Sequence, residues 1–260
     1  MGSDLLASRQ LAWQLFVRDL KAKYRQSLLG LTWAFFPPII TAIGLTLAKN
    51  AAIFTIESTD LPYPLYVIFS MALWQTFVES LQGPLQSLQQ SRMMLAKINF
   101  PREALVLAKV VEVCFNLCVK LLLIIVLFTI FQTPFTWKII LVPLGLAHLI
   151  VLGMAIGMLI APLGFLYQDF AKTLNYLTGF WLFLTPVVYP VPKSHEFFSY
   201  LVHWNPVTPL LVTTRELATT GIVSNEAGFW FVSLFALIGL FFAWLVYRLS
   251  MPFIVERMSA

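Results

Sequence analysis

Apolar residues run through this chain in long blocks, broken by short polar stretches at helix-length intervals. Leu61–Val78 and Leu121–Trp137 carry no charged residue at all. Read as one helix per block, the pattern predicts six spans, near 29–52, 63–85, 105–132, 138–161, 172–190 and 227–248. Each is close to the roughly 20 residues needed to cross a bilayer core. Ahead of them, Asp4–Leu20 has helical rather than continuous apolar spacing. Leu5, Leu6, Ala12, Trp13, Phe16, Val17 and Leu20 share one face, with Arg9 the exception. A basic stretch follows, so this helix is expected to lie in the membrane interface rather than cross it.

Two interruptions break the regular pattern. Gln86–Glu103 is polar and basic, with Arg92, Lys97 and Arg102. It predicts a helical piece over Gln86–Ala96 and another after Pro101, separated at Asn99-Phe100-Pro101. The second interruption, Val191–Gly221, is apolar but follows Pro190 and is cut by Pro192, Pro206 and Pro209. Two helices of half a span fit there, Ser194–Trp204 and one opened by Thr208 and Pro209 and closed by Gly221. They read as a re-entrant element in the outer leaflet, or as an external loop folded over the bundle. The predicted fold class is all-α: a polytopic membrane protein with six transmembrane helices, an N-terminal amphipathic interface helix, and re-entrant half-helices between spans five and six. Residues 1–28 form the interface helix and linker, and 29–260 the membrane domain.

Composition agrees. The 260 residues are 59% hydrophobic and 11% charged, against about 25% charged in soluble domains, and mean hydropathy is +0.82. The net charge of +5 is therefore read as topology and lipid contact, with no nucleic acid as partner. Of the 17 Lys and Arg residues, twelve fall on the side of the N-terminus and four (Lys49, Lys138, Lys193, Arg215) opposite, with Lys120 inside span three. Retention of positive charge inside puts both termini in the cytoplasm. No cleavable signal is evident in the first 27 residues, which are broken by Arg9, Arg18, Lys21, Lys23 and Arg25.

Catalytic motifs find little support. None of the twelve glycines precedes a lysine, so no phosphate-binding loop is present. His195-Glu196 begins like HExxH but continues Phe197-Phe198-Ser199, without the second zinc ligand. No GxSxG occurs. His148 reads as a packed polar residue, and Cys114 and Cys118 as buried thiols. A polar stripe stands out instead: Lys109, Glu112, Asn116 and Lys120 recur at helical spacing on span three. Glu79 on span two is the expected partner of Lys109 if the two spans are antiparallel neighbours. Such charges either fix span packing or serve transport. Tyr176, Phe180 and Phe183 form an aromatic stripe on span five, with Trp33 and Phe36 on span one. These rings suit stacking on sugar faces or an interfacial belt. Gly153, Gly157 and Ala161 offer a small-residue face for close helix contact.

Taken in order, several short motifs resemble one family. They are Arg18-Asp19-Leu20-Lys21, Tyr24-Arg25-Gln26-Ser27 and Leu29-Gly30-Leu31-Thr32-Trp33 before span one, then Phe100-Pro101-Arg102-Glu103. Tyr167-Gln168-Asp169 follows, with Gln where Arg is usual, then Leu184–Pro190 and Asn205-Pro206. The chain resembles, almost end to end, the membrane subunit (permease) of ABC-2-type exporters of O-antigen, capsule and teichoic acid. The resemblance implies a homodimer forming a channel in the bacterial cytoplasmic membrane, and two copies of a separate ABC ATPase subunit that bind ATP and Mg. This chain itself would hold no cofactor and catalyse no reaction. The substrate would be a glycan on a polyprenyl-diphosphate carrier. About Gln86–Leu95 would be the coupling helix, docking through Leu85, Leu88, Arg92 and Leu95, with Tyr167 and Asp169 on the second cytoplasmic loop. Trp33, Phe36, Tyr176, Phe180 and Phe183 would line the channel, and Val191–Gly221 would hold periplasmic gate helices. Rival readings are an exporter of a small lipid or drug with the same fold, and a membrane-embedded enzyme modifying lipids or glycans.

Overall fold

In the computed structural model, residues 2–25, 30–52, 58–97, 100–134, 136–192 and 197–259 are described, and every α or 3-10 element among them is helical. In chain order these are α1 (Gly2–Arg25), α2 (Phe36–Asn50), α3 (Tyr63–Gln90), α4 (Arg92–Lys97) and α5 (Glu103–Ile130). They continue with α6 (Val142–Leu166), α7 (Gln168–Phe183), α8 (Phe197–Trp204), α9 (Val207–Ala218) and α10 (Glu226–Ser259). Short 3-10 segments, Gly30–Ala34 and Trp137–Leu141, lead into α2 and α6. Residues 26–29, which fall in the second and third motifs, and Asn99, Lys193, Ser194 and the His195-Glu196 pair lie outside the described residues.

Three segments are long and apolar enough to cross a membrane: Glu103–Ile130, Trp137–Leu166 and Glu226–Glu256. The other expected spans differ for identifiable reasons. α3 has 28 residues, but Gln75, Glu79, Gln82 and Gln86 make it more polar. α2 and α7 have 15 and 16 residues, about 22–24 Å at 1.5 Å per residue, short of a hydrocarbon core of about 30 Å. Pro37 and Pro38 occupy the first turn of α2, where a missing N–H costs nothing. α7 starts at Gln168 and stops at Phe183, three residues before Pro186, because a proline steers the residue before it out of the helical region.

α3 is the central post, buried along most of its length. α6 makes the most extensive contact with it, α5 and α2 pack on its other sides, and α10 packs behind α6. Glycine sets the closeness of the α3–α6 contact. A Cβ at Gly153 would lie 2.6 Å from Ser80 Cβ and 2.7 Å from the Phe77 carbonyl, and one at Gly157 would strike the Leu81 carbonyl. Ala161, one turn on, is fully buried. Such small-residue faces let helix backbones approach in lipid, where no hydrophobic force drives helices together. Gly157→Val is expected to force the pair apart and cost at least about 2 kcal/mol, read as a lower unfolding midpoint in detergent. Gly179→Ala, where a Cβ meets nothing within 4 Å, is the control expected to stay unchanged.

α1 lies against α5, with Ala12, Leu15 and Phe16 buried and the Phe16 ring 5.9 Å from Phe115. Trp13, expected on the same apolar face, is 59% exposed. The amphipathic face therefore packs on protein, and Trp13 is left at its margin.

Candidate functional site

The helices alternate in direction and define two ends. One, the near end, carries α4 and the α6–α7 junction at Tyr167. The other, the far end, carries α8 and α9. Three groups of residues occupy these ends and the path between them.

The first group is the polar stripe of α5. Lys120 Nζ donates to Glu79 Oε1 at 2.7 Å, and Asn116 Nδ2 to Glu79 Oε2 at 3.1 Å. Lys109 Nζ donates to Glu112 Oε2 at 2.7 Å, and Lys23 of α1 reaches Glu112 Oε1 at 3.3 Å. The expected Glu79–Lys109 pair is therefore corrected. Glu112, one turn along the same helix, takes Lys109, whose stem crosses α3 over Gly83, and Glu79 goes to Lys120 and Asn116. Lys109 and Lys120 are buried, and both carboxylates are only partly covered. The stripe thus ties α1 to α5 and α5 to α3. On another face of α3, Gln82 donates to Asn175 Oδ1 of α7 at 2.9 Å.

The second group is the near-end surface. Helix α3 continues through Gln90, and Ser91 breaks it, so the expected helix over 86–96 is divided between α3 and the short α4. Leu85, Leu88 and Leu95 are buried within the subunit, with Leu85 seated against Gly164. They anchor this segment and are not presented to a partner. The outward positions are Gln86, Gln89, Gln90, Arg92, Met93 and Lys97, with Met93 77% exposed. The Arg92 guanidinium sits 5.7 Å from the Phe165 ring at the end of α6. This contact brings α4 beside the junction where Tyr167 is exposed in extended backbone and Asp169 is exposed in the first turn of α7. Two loops about 75 residues apart thus form one surface.

The third group is the aromatic stripe. Tyr176, Phe180 and Phe183 all point outward from α7, at 76%, 76% and 64% exposure. Trp33 and Phe36 are exposed too, their rings 5.1 Å apart. The surface of α7 mixes these rings with exposed Lys172, Thr173 and Asn175. By contrast, the outer face of α10 shows Phe231, Leu234, Phe235, Ile238 and Phe242, a face suited to lipid.

At the far end the structure adds residues that spacing did not single out. Asn205 holds four bonds: its Nδ2 donates to Leu184 O and Thr185 Oγ1, and its Oδ1 accepts from Trp181 Nε1 and Val207 N. It therefore opens α9 and fixes it to the end of α7. The first helical residue of α9 is correspondingly Val207, two before the Pro209 expected, with Pro206 in place of Thr208 at the N-cap. Gly221, with φ +71°, closes the turn after α9, where Lys138 Nζ donates to its carbonyl at 2.7 Å and Thr136 donates to Thr219 O. Arg215 is buried, and among the described residues no carboxylate comes within ion-pair distance of it. It donates to Ser70 Oγ (2.9 Å) and Pro186 O (3.1 Å) and lies 4.2 Å from the Tyr66 ring centre. The Asn205-Pro206 dipeptide was the one available signal for this hub. His148 stays a packed residue, its Nδ1 bonded to Leu144 O and its ring against Phe229. Cys114 and Cys118, expected to be buried, are exposed on α5.

The profile of the family described as ABC-2 type transporter matches residues 10–218. An O-antigen export system permease protein of Myxococcus xanthus is 27% identical over 218 residues, 82% of each chain. A Klebsiella pneumoniae protein of the same description is 24% identical over 214 residues, 80% of each. A polysialic acid transport protein of Escherichia coli is 20% identical over 256 residues, 90% of this chain and 91% of its own.

Proposed function

This chain belongs to the ABC-2 type transporter family, and from that premise we propose that it is the permease subunit through which a polyprenyl-diphosphate-linked polysaccharide leaves the cytoplasm. Two copies form the channel, and each docks one ABC ATPase subunit that binds ATP and Mg. The protein is a multi-pass membrane protein. The protein sits in the cytoplasmic membrane with its near end and both termini on the cytoplasmic side, and α8 with α9 forms the external gate. In this reading α1 lies in the cytoplasmic interface, and α2, α3 and α7 complete six spans once a second subunit covers them. Kinship with O-antigen and polysialic acid transporters supports a glycan cargo.

The observation that carries the reading is the mixed face of α7. Three aromatic rings at turn spacing stand clear of the subunit beside Thr173 and Asn175. Lipid tails would not stabilise those polar groups. A sugar chain would, since rings stack on its apolar faces and amides and hydroxyls bond its hydroxyls. The double variant Tyr176→Ala/Phe180→Ala is expected to cut glycan export about tenfold, two stacking contacts of roughly 0.7 kcal/mol each, with dimer yield unchanged. Unchanged export would remove these rings from the export path, and loss of export and dimer together would assign them to packing.

A further inference from the structure

A trough of about 1030 Å³ opens between α5 and α10, which are splayed apart and floored by α6. Its walls are apolar: Val106 and Val110 on α5, Val151 and Met154 on α6, Leu240 and Trp244 on α10. It runs along α10 from Leu237 to Arg248, about 17 Å at 1.5 Å per residue, close to one leaflet of a hydrocarbon core about 30 Å thick. At the near end it leads into a smaller throat that shares Phe100, Pro101, Glu103 and Arg248 and adds Arg102 and Tyr247.

The throat has the chemistry of a headgroup site. Two guanidiniums, Arg102 and Arg248, face one carboxylate, Glu103, whose contact with Arg248 is loose at 3.8 Å. Arg248 also lies 5.3 Å from the Trp244 ring, at the rim of the trough. Tyr247 is 1% exposed, and its hydroxyl has no hydrogen-bond partner among the described residues. A buried donor left unpaired is costly, and of the five such side chains among the described residues (Thr46, Thr208, Thr213, Ser233 and Tyr247) Tyr247 is the one that lines this throat.

We propose that this groove is a binding site for a resident membrane phospholipid, with acyl chains in the trough and the phosphodiester against Tyr247, Arg102 and Arg248. The excess of one positive charge matches the single charge of a phosphodiester and is too small for a diphosphate. The trough's length matches one leaflet, where a long polyprenyl chain would overrun it. The site lies behind α6, away from the α7 face, so it does not depend on what the protein exports. A lipid here would brace α5 against α10, which otherwise touch little.

The test uses the full chain, delipidated in a maltoside detergent and titrated with dioleoyl phosphatidylglycerol, with bound lipid read by native mass spectrometry. One lipid per subunit is expected at low concentration. Tyr247→Phe keeps the ring and removes the donor, so binding should weaken about tenfold. Its unfolding midpoint without lipid should be equal to or above that of the parent chain, because no buried donor is left unpaired. Val151→Trp, which fills the trough, should abolish binding. Equal binding by the parent chain and Tyr247→Phe would overturn the proposal. So would displacement of the phospholipid by undecaprenyl phosphate at a tenfold lower concentration, which would assign the groove to a carrier lipid.

Discussion

Lys120→Met alone is expected to remove most of the folded protein, and Glu79→Gln added to it is expected to bring most of it back. Lys120 is 3% exposed, and its ammonium is held 2.7 Å from Glu79 at mid-depth of α3 and α5. Removing it leaves a carboxylate with Asn116 as its remaining described partner. Breaking one side of a buried ion pair costs about 3–5 kcal/mol. The Glu79 side chain is 33% exposed, so the lower end of that range applies. In the double variant the amide still accepts from Asn116 and carries no charge, so the penalty disappears. The measurement is the yield of monodisperse protein and its unfolding midpoint in detergent for the parent chain, both single variants and the double. Equal stability of all four would show that the pair does not hold α3 to α5, and would move its purpose to transport.

That pairing also shows where the sequence stopped being legible. Periodicity alone placed Lys109, Glu112, Asn116 and Lys120 on one strip of α5, and an antiparallel neighbour was the natural source of a partner. Glu79 bonds Lys120 and Asn116, and the Lys109 stem crosses α3 one turn away, at Gly83. The choice was decided by Glu112, which is close enough in the same helix to take Lys109. Helix existence was legible because apolar blocks and proline breaks act locally. Which way a helix face points was not. Leu85, Leu88 and Leu95 read as the apolar face of a docking helix, yet α3 runs on to Gln90 and buries Leu85 and Leu88 in its own packing, and Leu95 is buried on α4. The small-residue face Gly153, Gly157 and Ala161 was legible because only tight packing against a backbone asks for it. Arg215 and the Tyr247 hydroxyl were not, since a buried polar group is defined by partners distant in sequence.

The same burial pattern reverses which residue should carry contact with the ATPase. Leu88 is fully buried, so Leu88→Asp places a charge in the core and is expected to fail in folding. Loss of export in that variant would say nothing of docking. Met93 is 77% exposed on α4, beside the exposed Tyr167 and Asp169, and thioether side chains adapt well to a partner's cleft. Met93→Asp is therefore expected to leave insertion, dimer yield and unfolding midpoint unchanged while releasing the ATPase and stopping export. A charge desolvated without a partner in such a cleft costs several kcal/mol, so a hundredfold loss of affinity, about 2.7 kcal/mol, is a modest expectation. Arg92→Gln should be mild, because its guanidinium rests on the subunit's own Phe165. The readout is co-purification of the ATPase with the detergent-extracted permease, set beside glycan export in cells. Wild-type association in Met93→Asp would remove α4 from the contact. Release by Tyr167→Ala alone would then move docking to the α6–α7 junction, whose backbone is extended and whose side chains already face outward.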